Sequence, residues 1–121
     1  MTHYLVTIAP DGTTTRVPYD PTAPAQIPNL IGTDITHSTE HPRGIEEIEI
    51  LTDAYGHLLS RNSAPNPLAS LYSGHPLTGR TVIAAHDPDT GETTGMTINV
   101  THAVLQEIRT LIDLTTHTAS P

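Results

Sequence analysis

Two histidines and a glutamate stand within five residues at His37-Ser38-Thr39-Glu40-His41. In this H-x-x-E-H order, a helix would set both imidazoles one turn apart to hold zinc while the carboxylate activates water. His37, Glu40 and His41 are therefore the candidate metal ligands, and they support one functional reading, a small metal-dependent hydrolase. The neighbouring residues argue against the helix. Thr39 is β-branched, and Pro42 follows His41 and disfavours helical backbone there. Ser38 to Gly44 reads as a polar loop.

Three other constellations reduce to turns. Asp87-Pro88-Asp89-Thr90 follows the apolar Val82-Ile83-Ala84-Ala85 in the D-x-D order of phosphatase nucleophiles. Thr90 stands one place early, however, and only 34 residues remain after Asp87, too few for the rest of such a fold. The same residues bond their own backbone readily and read as a tight turn. Glu92 comes too soon to close a calcium loop, which needs its glutamate at position twelve. Ser73-Gly74-His75 sets a hydroxyl beside an imidazole, but a helix C-terminal turn explains it without a triad. No Gly-rich phosphate cradle is present, and no cofactor is expected. For a second reading, a protein that binds or sequesters a nucleotide or other small anion, Arg80 and Arg61 are the candidate contacts. A guanidinium stays charged and meets anions through a rigid fork.

The elements that would position these residues follow from periodicity and turn chemistry. Tyr4 to Ile8 and Thr13 to Val17 read as strands of a hairpin around Ala9-Pro10-Asp11-Gly12. Pro18, Pro21, Pro24 and Pro28 forbid a long helix in that stretch; a short one through Ile31 would close at Gly32. Asp34 to His37 reads as a short strand. Ile45 to Thr52 alternates Ile48 and Ile50 with Glu47 and Glu49, the period of a half-buried strand with a solvated acidic face. A second hairpin through Asp53-Ala54-Tyr55-Gly56 would return over His57 to Ser60. Asn66 and Pro67 make a good N-cap and first helical residue for Leu68 to Tyr72, with Gly74 past the end. Arg80 to Ala85 reads as a buried strand and Thr97 to Asn99 as a short one. From Thr101 to Leu114, Val104, Leu105, Ile108, Leu111 and Ile112 form one apolar stripe of a helix, opposite His102, Gln106, Arg109 and Asp113.

The expected fold class is α+β. It has a small antiparallel or mixed sheet of about five to six strands with β-hairpins, one short helix and a C-terminal amphipathic helix across one face. Residues 1–114 form one domain and 115–121 a flexible tail.

Composition narrows the function classes. The 121 residues include 11 Ile, 11 Leu and 5 Val but no Phe or Trp, so the core is aliphatic and thin. Five Arg and no Lys stand against 13 acidic residues, a formal charge of −8. Scattered arginines and few aromatics suit neither a phosphate backbone nor stacked bases, so no nucleic-acid partner is expected. Without Cys there is no disulfide, thiolate nucleophile or thiolate metal site. No apolar run approaches a membrane span, no membrane partner is expected, and no signal segment is visible at the start. A cytoplasmic location is the expectation. Arg without Lys, many Thr and Pro, and no Phe suggest a GC-rich coding genome.

Gly56-His57-Leu58-Leu59, Asn66-Pro67-Leu68-Ala69, Gly79-Arg80-Thr81-Val82-Ile83 and Gly95-Met96-Thr97 occur in that order after the Pro10-Asp11-Gly12 turn. Together they resemble a family of short bacteriophage, plasmid and bacterial proteins known as the domain of unknown function numbered thirty-eight forty-six. The resemblance spans about residues 4 to 112; the Pro-rich stretch from 18 to 28 departs from it. It implies a phage or mobile-element setting and transfers no catalytic residue. The leading expectation is a non-enzymatic protein-interaction module that binds a host protein or itself.

Overall fold

The computed structural model describes residues 2–33, 36–43, 46–55 and 64–119, with backbone only at 40–43, 46 and 116–119. Its elements are β1 (Tyr4–Ile8), β2 (Thr14–Pro18), α1 (Gln26–Ile31), β3 (Thr36–Arg43), β4 (Glu46–Asp53), α2 (Pro67–Ser73), β5 (Thr81–His86), β6 (Thr93–Thr94) and α3 (Ile98–Ala119). The six strands form one sheet in the order β2-β1-β5-β4-β3, with β6 also on β5. Every pairing is antiparallel. The α+β architecture, the first hairpin and the C-terminal helix are as the residue patterns predict.

Alternation along the strands gives the sheet two unlike faces. On one, Val6, Ile8, Ile48, Ile50 and Ile83 are buried beneath Leu68, Ala69 and Tyr72 of α2 and Val104 and Ile108 of α3. On the other, Leu5, Leu51, Val82 and Ala84 meet Ile31 of α1. Full burial of one such aliphatic side chain contributes about 1.5–3 kcal/mol.

Local chemistry explains the helix ends. The Ala69 N–H donates to Asn66 Oδ1 (3.1 Å), and Pro67 opens α2, as the sequence predicts. Gly32 ends α1 at φ 91°, a left-handed conformation that costs glycine nothing. The Asn66 side chain does more than cap. It is fully buried, and its amide donates to the Ile8 carbonyl (2.9 Å) and the Gly79 carbonyl (2.8 Å). One residue thus ties α2 to the end of β1 and to the entry of β5.

Four expectations are corrected. The expected loop from Ser38 to Gly44 is replaced over its described residues: 38–43 belong to β3, which pairs with β4 over eight residues, and Gly44 lies outside the described residues. Tertiary pairing overrides the loop signal, and Pro42 is tolerated because β3 ends the strand order among the described residues. Glu49 is not on a solvated face; it is 4% exposed, and Asp53 beyond it is buried as well. Thr97 to Asn99 is not a strand, because Thr97 caps α3 through the Val100 N–H (3.3 Å) and the Thr101 N–H (2.9 Å). Finally, α3 carries helical backbone to Ala119, past the expected start of the tail. The His57 to Ser60 return strand lies outside the described residues.

Candidate functional site

Among the described residues, an unpaired sheet edge lies beside a long helix. At the β1–β2 hairpin, the Ala9 N–H donates to the Thr13 carbonyl (2.9 Å) and the Tyr19 N–H to the His3 carbonyl (2.8 Å). Antiparallel ladders alternate bonded and non-bonded pairs. With Tyr4 opposite Pro18 and Ile8 opposite Thr14, residues 13, 15, 17 and 19 therefore face β1. Thr14, Arg16 and Pro18 direct their backbone groups the other way. Tyr4 obeys the same phase: it turns from β2 and exchanges both backbone bonds with Met96 (2.8 and 2.7 Å).

Among the described residues nothing pairs with this outer edge except at Pro18. That residue has no N–H, and its carbonyl accepts the Gln26 side-chain amide (2.8 Å). The N–H and C=O of Thr14 and Arg16 are left facing outward.

The α3 helix runs alongside this edge on the helical face. Val104 and Ile108 of α3 are seated on the sheet, while Leu105 and Leu111 are only partly buried and Ile112 is 40% exposed. Between α3 and β2 runs an open groove of about 520 Å³, lined by Thr14 and by His102, Leu105, Gln106, Ile108, Arg109 and Ile112. Its floor is aliphatic and its rim is cationic. Arg109 is exposed and makes no ion pair among the described residues. On β2, Arg16 belongs to the same face and lies 4.8 Å from the Tyr4 ring centroid, within cation–π range.

A buried polar cluster occupies the opposite face. Glu49 Oε1 is paired with His86 Nδ1, and Glu49 Oε2 accepts the Thr93 hydroxyl (2.7 Å). Strand register explains the meeting: His86 stands opposite Thr93 on β6 and opposite Glu47 on β4, one alternation from Glu49. Both carboxylate oxygens are occupied, so the cluster fastens β6 and the end of β5 to β4. Beside it, Tyr19, Ile27, Pro28, Leu51 and Thr93 border a smaller groove of about 400 Å³.

The residues singled out from sequence are dispersed. His37, Glu40 and His41 lie on β3, where hydrogen-bond register places them opposite Thr52, Glu49 and Ile48. Positions 37 and 41 have one strand parity and position 40 the other. His37 is exposed; the Glu40 and His41 side chains, like all of Arg61, lie outside the described residues. Among the described residues no group of three His, Asp or Glu side chains is arranged to hold a metal ion. Arg80 is exposed, and its charge helps hold the Asp11 carboxyl below its ordinary range. Larger contributions there come from the Thr13 N–H and hydroxyl. Asp87 and Ser73-Gly74-His75 form turns: Asp87 Oδ1 accepts the Asp89 N–H (2.9 Å), and Ser73 Oγ accepts the His75 N–H (3.0 Å).

Sequence reasoning missed Thr14, Arg16 and Arg109 as a group, and Glu49 with His86. The available signal for the first was a Thr-rich strand with one Arg; for the second, a glutamate flanked by Ile48 and Ile50.

Comparison with protein-family models, curated proteins and solved structures returned no match. Among the described residues no helix is long and apolar enough to cross a membrane.

Proposed function

We propose that the chain is a non-enzymatic protein-interaction module that engages its partner along the β2 edge and the α3 groove. The observation that carries this reading is the outward N–H and C=O groups of Thr14 and Arg16 beside an aliphatic groove. Unpaired strand edges template pairing with another chain. A groove that flanks such an edge supplies pockets for alternate side chains. We further propose a phage or mobile-element setting, with a host protein as the partner.

The test uses two exposed groove residues, so that the fold is preserved. Gln106→Trp fills the groove and Arg109→Glu reverses its rim. Wild-type protein is expected to form a saturable complex with one stoichiometric partner in quantitative cross-linking. Both variants lose that complex while keeping the wild-type urea midpoint. Identical cross-linked sets for wild type and both variants would refute the reading.

A further inference from the structure

We propose that the occupant of the groove is an extended segment of a partner protein, paired as an added strand on β2 and carrying acidic side chains towards α3. The proposal deepens the interaction reading and rests on it. Backbone geometry selects the extended form. Thr14 and Arg16 each present one donor and one acceptor, so a strand laid antiparallel against them makes four ladder bonds. Pro18, with no N–H and with its carbonyl held by Gln26, stops the ladder at one end. The Ala9–Thr13 turn stops it at the other. The register is thus short, about three to five residues on the incoming strand.

Side-chain alternation then dictates the sequence of the segment. In an antiparallel pair, residues opposite each other project to the same face. Thr14 and Arg16 stand opposite Ile8 and Val6, both of the helical face, so the residues bonded to them project towards α3. There they meet Leu105, Ile108 and Ile112 on the floor and His102 and Arg109 on the rim. Every second side chain of the segment is therefore apolar or acidic, and the intervening ones face the opposite side of the sheet.

Charge chooses between partners. The chain carries −8 overall, yet this groove is lined by Arg109 and His102, and Arg16 stands on the same face of β2 beside it. No carboxylate is among the lining residues, and Asp113, one turn on from Arg109, is exposed. An acidic segment is repelled by most of the surface and attracted here, which steers it and fixes its register. A second copy is the poorer occupant. Two β2 strands paired about Thr15 would set Arg16 opposite Thr14 of the copy, bringing both guanidinium groups onto one face without an acid between them.

The test titrates the full chain with a fluorescent peptide, Thr-Glu-Thr-Ile-Thr-Glu-Thr, whose alternate residues are Glu, Ile and Glu. Controls replace both Glu with Lys or N-methylate the central Ile. The acidic peptide is expected to bind saturably and to shift the Thr14 and Arg16 amide resonances. Each control binds at least tenfold more weakly, and Arg16→Glu with Arg109→Glu reverses the preference to the Lys peptide. Failure of the acidic peptide to bind, or equal binding of the Glu and Lys peptides, overturns the inference. Self-association that Gln106→Trp abolishes also overturns it and makes a second copy the occupant. In those cases the interaction reading still stands if the cross-linked complex is lost in the two groove variants, and falls if it is not.

Discussion

The two faces of the sheet solve the problem of burial differently. The helical face is covered by α2 and by the 22-residue α3, and the polar side chains buried there, Asn66, Thr52, Thr81 and Thr101, are all uncharged. The other face is covered by the six-residue α1 and a Pro-rich segment, and its buried apolar cluster is smaller. Glu49, Asp53 and Thr7 are buried on that second face by strand parity. A long helix supplies apolar area, so that face closes without burying a carboxylate among the described residues. A short one cannot, and polar groups caught beneath it must bond one another, because an unpaired buried charge is costly. The contrast shows how a chain without Phe or Trp closes a two-layer core: one side by aliphatic packing, the other by polar fastening.

The largest expected effect breaks the fastened face. Glu49→Ala takes one acceptor from His86 and the acceptor from Thr93, and should cost about 3–5 kcal/mol of stability in urea denaturation. The combined Glu49→Val, His86→Leu and Thr93→Val variant should recover most of that loss, since apolar replacement of a whole buried network is often near neutral. A single-variant loss below about 1 kcal/mol would mean that the cluster does not hold β6. On the helical face, Ile83→Ala should cost about 3 kcal/mol through lost transfer energy and a residual cavity. No change at the second site is expected to rescue it short of restoring volume.

Asn66→Ala tests the link between α2 and the sheet. It removes the cap of α2 and leaves the Ile8 and Gly79 carbonyls without their amide donor, a loss of about 2 kcal/mol by thermal or urea unfolding. Asn66→Asp should not rescue it, because a carboxylate keeps the cap acceptor but cannot donate to the two carbonyls.

The smallest effect is a pH response confined to two turns. Asp11 is held below its ordinary range first by the Thr13 N–H and then by the Thr13 hydroxyl. Asp20 is held below it first by the Thr22 hydroxyl and then by the Thr22 N–H. Lowered folded-state values mean that both turns are favoured above the unfolded value of ~3.9, and that this contribution fades as pH falls through the folded value. Thr13 and Thr22 amide resonances should therefore be constant from neutral pH down to about 5 and move only below about 4. Movement near pH 6 would point to histidine titration instead.

Much of the fold was legible because its signals were local. The hairpin turn, the Asn66-Pro67 start of α2, the β5 run and the apolar stripe of α3 each depend on residues a few positions apart. The site was less legible because its signals are not local. Glu49 reads as a solvated alternation partner of Ile48 and Ile50, and only the arrival of β5 and β6 on one side and β3 on the other buries it. Thr14 and Arg16 look like ordinary residues of a hairpin strand. Their role depends on which strand edge remains unpaired among the described residues and on α3 lying beside it.

The amino-acid sequence determined the α+β class, the aliphatic core, the strong negative charge and most helix and strand starts, because propensity, capping and turn chemistry act within a turn or two of chain. Tertiary structure decided the strand order, the length of β3, the burial of Glu49 with His86 and the position of a cationic groove beside an unpaired edge. Those features are set by pairings between segments tens of residues apart, whose register no local pattern encodes.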